Sequence, residues 1–458
     1  MLRYLEQLAS ALWNHIDGRC KARNEYSGGT TVGVAVTDGQ PTRRRLRLSQ
    51  TQRTTHIVIV GKTGTGKTSL IRHLALQDIE AGRGAIIFDL HGDTTPFILS
   101  AIAAAEWKRQ EHLSDRLTVF SPSDALMSVG LNPLCGGAGN FTAVAELAEL
   151  LKMYWGLDRF GARTDELLRN TLFALAANGF TLLEIAPFLT LAPFRNECLK
   201  AVENAEVISF FVARYGAASE AMQAVMREPI LNKVSAFTAD PRFRHIVGQQ
   251  KPAFSIQEAL DNGHTILLHL PKGQLGPQAV TLAGLFFTMV KNALFTRTKR
   301  TLYTIYCDEI QNLVAQSSDV ETVLSEARKF GVGVVSANQF LNQHPAAMRS
   351  ALLSVGTHVF FQLSSEDASI IAQMLDGGKP LAERLKNLPQ RHFILKSGAE
   401  RWIEAQVPKV EEQRTSYTDL LNRSRALRAR PRAEIEREIA ARHAALSHAT
   451  QEALHDWE

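Results

Sequence analysis

Hydrophobic positions change period several times along the chain, and each change marks an element. Leu2, Leu5, Leu8, Leu12 and Ile16 recur at helical spacing, with Glu6 and Asp17 between them; this predicts one amphipathic helix over 1–25. Residues 31–48 alternate around Asp38-Gly39, which predicts a short hairpin. Residues 56–60 form a brief β-branched run, followed by a glycine-rich segment and a helical stretch over 69–81. Gly82 and Gly84 stop that helix, and 85–89 and 117–120 read as further buried strands.

Helical periodicity then takes over. From about 141 to 260 the chain is rich in Ala, Leu, Glu and Phe with few strand signals, which predicts an inserted all-α domain. Strand texture returns at 265–270, 302–307, 331–336, 358–363 and 392–395, with helices between. The alternation predicts an α/β fold with a mainly parallel sheet. The expected plan is an N-terminal helix and hairpin over 1–55 and a first α/β part over 56–140. The helical insertion covers 141–260, a second α/β part 261–408, and a charged helical tail, broken at Pro431, 409–458.

Composition narrows the class. The chain has 458 residues, 45% hydrophobic and 21% charged, so it can bury a large core without staples. Wholesale disorder, a collagen repeat and a disulfide mini-protein are excluded. Cys20, Cys135, Cys198 and Cys307 show no metal-ligand spacing and read as free thiols. The net charge of +5 permits a nucleic-acid partner without arguing for one. Arginine is concentrated at Arg43, Arg44, Arg45 and Arg47 and again over 423–432. No run of 18 apolar residues and no signal-like leader is found, so the expectation is a cytoplasmic protein without a transmembrane helix.

The sharpest chemistry lies at Gly61-Lys62-Thr63-Gly64-Thr65-Gly66-Lys67-Thr68. This is a phosphate loop (Walker A) with the required spacing, between an expected strand and an expected helix. Glycines let backbone N–H groups curl around a phosphate without Cβ clashes, and the following helix, opening near Ser69, aims its positive end at the anion. Lys67 would reach the β/γ oxygens of ATP, and the Thr68 hydroxyl would ligate Mg²⁺. An apolar strand ending in Asp308-Glu309 is the expected Walker B. Asp308 would serve the Mg²⁺ shell and Glu309 would act as general base on the attacking water. By itself such a strand end is weak, since acids commonly end strands. Gln339, at the end of the next expected strand, is placed to touch the γ-phosphate or merely to cap its strand. Arg328 is either a solvated helix-face charge or an arginine acting on a neighbouring subunit's nucleotide. Asp89-Leu-His-Gly-Asp93 is either a contact to the nucleotide loop or ordinary turn chemistry. His56, His264 and His269 read as packing residues.

These segments together resemble a known family. GKTGTGKT, FDLHGD, LNPL, RTDELLRNTLFAL, LPKGQLG, CDEIQN and SEARKFGVGVVSANQ resemble the type IV secretion and conjugative coupling ATPases. These are TraG/TraD-type proteins of the FtsK/HerA group of DNA translocases, and the likeness runs over about 31–405. It implies a RecA-like P-loop NTPase fold and a homohexamer with ATP sites between subunits. It also implies DNA in the central channel, relaxase or relaxosome cargo, and a membrane secretion component as partner. It supports the roles given to Lys67, Thr68, Asp308, Glu309 and Gln339, and it places the family's trans-acting arginine at Arg328. The family usually carries N-terminal transmembrane helices, whereas an amphipathic helix is expected here, so any link to the inner membrane would run through a partner.

DNA contacts in such pumps go to phosphates and are sequence-tolerant. Lys272 in the LPKGQLG loop is a candidate. The arginine run 423–432 could bind DNA, acidic lipid or an acidic partner, or simply be a solvated helix face. Two other functions stay open: an ATP-regulated protein cargo receptor, and a HerA-like DNA pump in defence or repair.

Overall fold

The computed structural model describes residues 29–109, 113–136, 141–310, 313, 317–341 and 344–455. The helix expected over 1–25, and Cys20 with it, lie outside the described residues. Thirteen strands are present among them: β1 (Thr30–Thr37), β2 (Gln40–Leu48), β3 (Ile57–Val60), β4 (Ala85–Asp89), β5 (Leu117–Phe120), β6 (Met127–Ser128), β7 (Thr265–His269), β8 (Tyr303–Asp308), β9 (Val332–Asn338), β10 (Thr357–Phe360), β11 (His392–Ser397), β12 (Ile403–Gln406) and β13 (Arg430–Pro431). Between β6 and β7 the described elements are all helical.

The chain divides into two compact units, and the division falls inside β4. The first comprises residues up to 87, 299–310 and 320–414. Its strands run β2-β1-β12-β11-β10-β3-β9-β8. The four from β10 to β8 are parallel, whereas β2, β1, β12, β11 and β10 pair antiparallel in succession. The sheet is therefore mainly parallel where the phosphate loop leaves it and antiparallel on one flank. All four residues of β3 are fully buried, as expected of a parallel strand covered on both faces. The turn at Asp38-Gly39 has φ of 51° and 76°, the left-handed pair of a two-residue type I′ hairpin.

Behind the phosphate-loop helix (Lys67–Glu80) lies a buried polar knot. The Arg53 guanidinium donates to Asp78 Oδ1 at 2.5 Å and Oδ2 at 2.6 Å, and to Thr304 Oγ1 and Tyr306 Oη at 3.0 Å each. Tyr306 Oη–H in turn donates to Asp78 Oδ2 at 2.7 Å. Burial alone would push the Asp78 carboxyl up. The hydrogen bonds and charge of Arg53, with Tyr306 and Arg83, outweigh it and hold the carboxyl below the usual carboxylate range. This knot ties β8 to the helix that starts at Lys67 and to the segment leading into β3.

The second unit comprises 88–298, 311–319 and residues from 415 onward. Its core helix, Gln278–Phe295, is long and apolar enough to cross a membrane by length and composition. Eleven of its residues are buried, Lys291 pairs with Glu146 at 3.1 Å, and Phe286 packs against Phe88 and Phe120. A Cβ on Gly284 would lie 2.4 Å from the Tyr154 ring, so this helix meets Phe141–Trp155 at a close approach that requires glycine.

The arginine run 423–432 is drawn largely into ion pairs and hydrogen bonds, with its side chains still part-exposed. Arg423 pairs with Glu106 at 2.5 Å, Arg425 with Asp124 at 2.7 Å, and Arg430 with Glu438, while Arg432 donates to the Pro122 carbonyl at 2.7 Å. Further along, Arg442 donates to the fully buried Glu184 at 2.8 Å. The tail is a strap held on its own unit by arginines.

Candidate functional site

The glycine-rich loop leaves the C-terminal end of β3 and is held by its neighbours. Gly61 N–H donates to the Asn338 carbonyl at 3.1 Å, Lys62 N–H to that of Gln362 at 2.9 Å, and Arg391 N–H to that of Thr65 at 2.8 Å. Gly66 has φ of 120°, and a Cβ there would sit 3.1 Å from the Phe361 ring. Thr65 is buried; Thr63 and Gly64 are exposed, and Lys62, Thr68 and Ser69 are half-buried. The Lys67–Glu80 helix begins with no side-chain cap. Its first N–H groups thus keep the unpaired, partly positive character that suits an anion.

Lys67 is buried, and its Nζ donates to the carbonyls of Gly61 at 2.6 Å and Lys62 at 3.0 Å. Burial pushes its ammonium below the ordinary lysine value, and the charges of Asp308 and Glu309 push back. The two acids expected at the Walker B strand therefore act electrostatically on the loop lysine, although nearly the whole second unit separates them from it in sequence.

Asp308 ends β8, and Glu309 follows with φ of 61°. A left-handed backbone at a non-glycine residue costs on the order of 1–3 kcal/mol and persists only where its surroundings impose it. Here Glu309 N–H donates to the Ala337 carbonyl of β9 at 2.8 Å. The kink aims the side chain at the next strand end, where Gln339 Nε2 donates to Glu309 Oε1 at 3.2 Å. Lys67, Asp308, Glu309 and Gln339 thus form one cluster at the C-terminal edge of the parallel strands. The oxygens of Thr68 and Asp308 are hard donors of the kind Mg²⁺ takes alongside phosphates and water. Among the described residues, no group of three His, Cys, Asp or Glu could hold a metal by itself.

Arg328 is not in this cluster. It is exposed, on the short turn Ala327–Phe330 that precedes β9, in a groove with Thr55, His56 and Gly356 at the opposite edge of the strands. One strand length, roughly 13 Å for four residues, separates it from its own phosphate loop. The Asp89–Asp93 turn belongs to the second unit. Asp89 accepts from Gly92 N–H and Thr95 N–H, both at 2.7 Å, which is turn chemistry. Lys272 is half-buried at the start of a four-residue helix, its N–H bonded to the Leu90 carbonyl. His269 lies 3.4 Å from Ser121 Oγ through Nδ1 and 3.3 Å from the Gly92 carbonyl through Nε2, the contacts of a packing histidine. His56 is buried, but it sits just before β3 rather than in it, with φ of 69°.

Residues 44–104 match the family described as the type IV secretion-system coupling protein DNA-binding domain. That stretch spans the phosphate loop, its helix and β4. The fold as a whole is similar to the plasmid coupling protein TrwB. In complex with the non-hydrolysable ATP analogue ADPNP, TrwB superposes with TM-score 0.61 at 18% identity, covering 86% of this chain and 98% of TrwB. It has the fold of a conjugative coupling protein. In complex with ADP and Mg²⁺, TrwB gives TM-score 0.60 at 18% identity, covering 86% and 93%. VirB4 of Thermoanaerobacter pseudethanolicus gives 0.56 at 13% identity, covering 84% and 97%. No curated protein sequence matches the chain. The resemblance to coupling ATPases carried by the motifs thus extends to the coupling-protein fold, a RecA-like P-loop α/β core with an all-α insertion.

Proposed function

We propose that this chain is an ATP-driven DNA translocase of the coupling type, serving a conjugation or type IV secretion apparatus. The observation that carries the reading is the Lys67–Asp308–Glu309–Gln339 cluster at the end of parallel strands. It supplies a phosphate-binding cation, a carboxylate base and an amide in contact with that base. Lys67 leaves the Gly61 and Lys62 carbonyls for the β/γ oxygens of ATP. Thr68 and Asp308 would hold Mg²⁺, which would neutralise phosphate charge. Glu309 takes the proton of the attacking water, and Gln339 orients Glu309 and senses whether a γ-phosphate is present.

Arg328 has no access to its own nucleotide but is exposed at the far edge of the sheet. That favours action in trans, on ATP held by the next copy in a ring, and so a homohexamer with DNA in its channel. Relaxase-bound DNA is the proposed cargo, and a membrane secretion component the proposed recruiter. The match of 44–104 to a coupling-protein DNA-binding domain supports DNA as the polymer.

The test is ATP hydrolysis with and without DNA over a range of salt. DNA should stimulate turnover severalfold, and the stimulation should fall steeply between about 50 and 200 mM salt, because phosphate contacts release counterions. Lys67→Ala should abolish turnover at every salt concentration. Wild-type turnover indifferent to DNA would sink the translocase reading while leaving the nucleotide site standing.

A further inference from the structure

In the first unit, a groove of about 700 Å³ opens at the edge where β3 and β10 begin, and Arg328 lines it with Thr55, His56, Leu324 and Ser325. The turn bearing Arg328 is gripped on two sides. On one side the Arg300 guanidinium lies over the Phe330 ring, 4.6 Å from its centre. Gly331 there has φ of 71°, and a Cβ would come within 2.4 Å of the Arg300 carbonyl. On the other side stands His56, 2% exposed and left-handed.

Three of the four polar groups of His56 are hydrogen-bonded. Its N–H donates to the Arg53 carbonyl at 3.1 Å, and its carbonyl accepts from Thr357 N–H at 3.2 Å. Its Nδ1 accepts from Val334 N–H at 3.0 Å. Nε2 is buried without a hydrogen-bond partner among the described residues, and Leu324 lines the groove beside the ring. An accepting Nδ1 requires the neutral ring with its proton on Nε2. Burial enforces that state by pushing the imidazole down to about 4; the Leu324 carbonyl opposes this, and the charge of Arg328 works with it. The ring is therefore hydrogen-bonded to β9 at the root of β3, and it lines the same groove as Leu324, at the end of the Ser317–Glu326 helix, and Arg328 four residues on.

We propose that His56 is a positioning residue for Arg328: its ring, tied to β9, forms the buried wall of the groove beside the helix end and presents the arginine there, ready for the phosphates held by a second copy of the chain. This rests on the trans role of Arg328 proposed above. It also makes β3 a direct strut, with the phosphate loop at one end and the support of the arginine at the other.

The test uses the full chain and co-expressed pairs of variants. His56→Ala alone should lower kcat about 10- to 100-fold, the scale of a misplaced catalytic group, with nucleotide affinity within about 2-fold of wild type. His56→Asn, which tolerates a left-handed backbone and offers an acceptor oxygen, should recover most of the turnover. The deciding readout is mixing with Lys67→Ala, inactive by itself. In mixed rings a His56→Ala copy receives Arg328 from a Lys67→Ala neighbour whose His56 is intact. Turnover should then rise toward about a quarter per site, the share of junctions completed by random mixing. Arg328→Ala with Lys67→Ala is the control. If the control recovers and the His56→Ala mixture does not, His56 acts on its own site or on folding alone, and the proposal is overturned. If the control also stays dead, the trans role of Arg328 falls and takes the proposal with it. Should His56→Ala melt below the assay temperature, His56→Gly, which suits φ of 69° and removes only the ring, carries the same mixing test.

Discussion

Glu309→Gln should bind ATP as tightly as the wild-type chain and hydrolyse it about 10²- to 10⁴-fold more slowly, the range that a positioned general base contributes. The reason is local. Glu309 is the residue that leaves β8 in a left-handed turn, and its Oε1 already accepts from Gln339. A glutamine there keeps the length and that hydrogen bond but has no lone pair basic enough to take a proton from water. It also removes one of the two acid charges that offset the burial of Lys67, so the lysine should titrate lower still. Single-turnover hydrolysis alongside a nucleotide-binding titration separates the two effects. Unchanged binding with lost turnover is the expected pair, and hydrolysis within about 3-fold of wild type would remove Glu309 from the role of base. Gln339→Ala should cost less, because the carboxylate survives and only its orientation is freed.

What could be read from the residues followed from where physics acts locally. Continuous apolar runs such as 57–60 and 85–89 announce strands covered on both faces, and both are wholly buried. Glycine spacing announced the phosphate loop because the loop's geometry needs those glycines and few others. The antiparallel flank was less legible. β12 is four residues long and only Ala405 in it is buried; its Glu404 faces Arg384 and His392, so its periodicity resembles a loop. The arginine run 423–432 was opaque for a different reason: the Glu106 partner of Arg423 lies 317 residues away, and no window along the sequence contains both. The same holds for His56, whose left-handed backbone and contacts to Val334 and Leu324 are tertiary facts. Nearest-neighbour pattern therefore located the residues of the proposed nucleotide cluster, while the residues that brace it became visible only once distant segments were side by side.

Arg53 is the extreme case, and breaking its ion pair with Asp78 from one side should have the largest effect on folding. It lies in a polar stretch just after β2, where the sequence offers no sign of burial, yet it is 2% exposed. Asp78→Ala would leave that guanidinium inside the protein with only neutral partners. Breaking a buried, hydrogen-bonded ion pair from one side costs about 3–5 kcal/mol, a fall in Tm on the order of 10 °C for a unit of this size. Arg53→Met combined with Asp78→Leu should recover much of the loss, since apolar replacement of both partners removes the stranded charge. The pH dependence has a definite sign. Asp78 titrates near 3.9 in the unfolded chain and lower in the folded one. Its contribution is therefore complete above about pH 4 and is lost as the pH falls through the folded value. Thermal melts between about pH 3 and 7 should show wild type and Asp78→Ala converging toward the acid end. Curves that stay parallel would show that the carboxylate charge contributes nothing to the knot. Because the knot ties β8, which ends in Asp308, to the last turn of the helix that carries Lys67, a partly destabilised variant such as Tyr306→Phe should also lose nucleotide affinity. A variant weakened equally at the exposed turn end of the β1–β2 hairpin, Asp38-Gly39, should not.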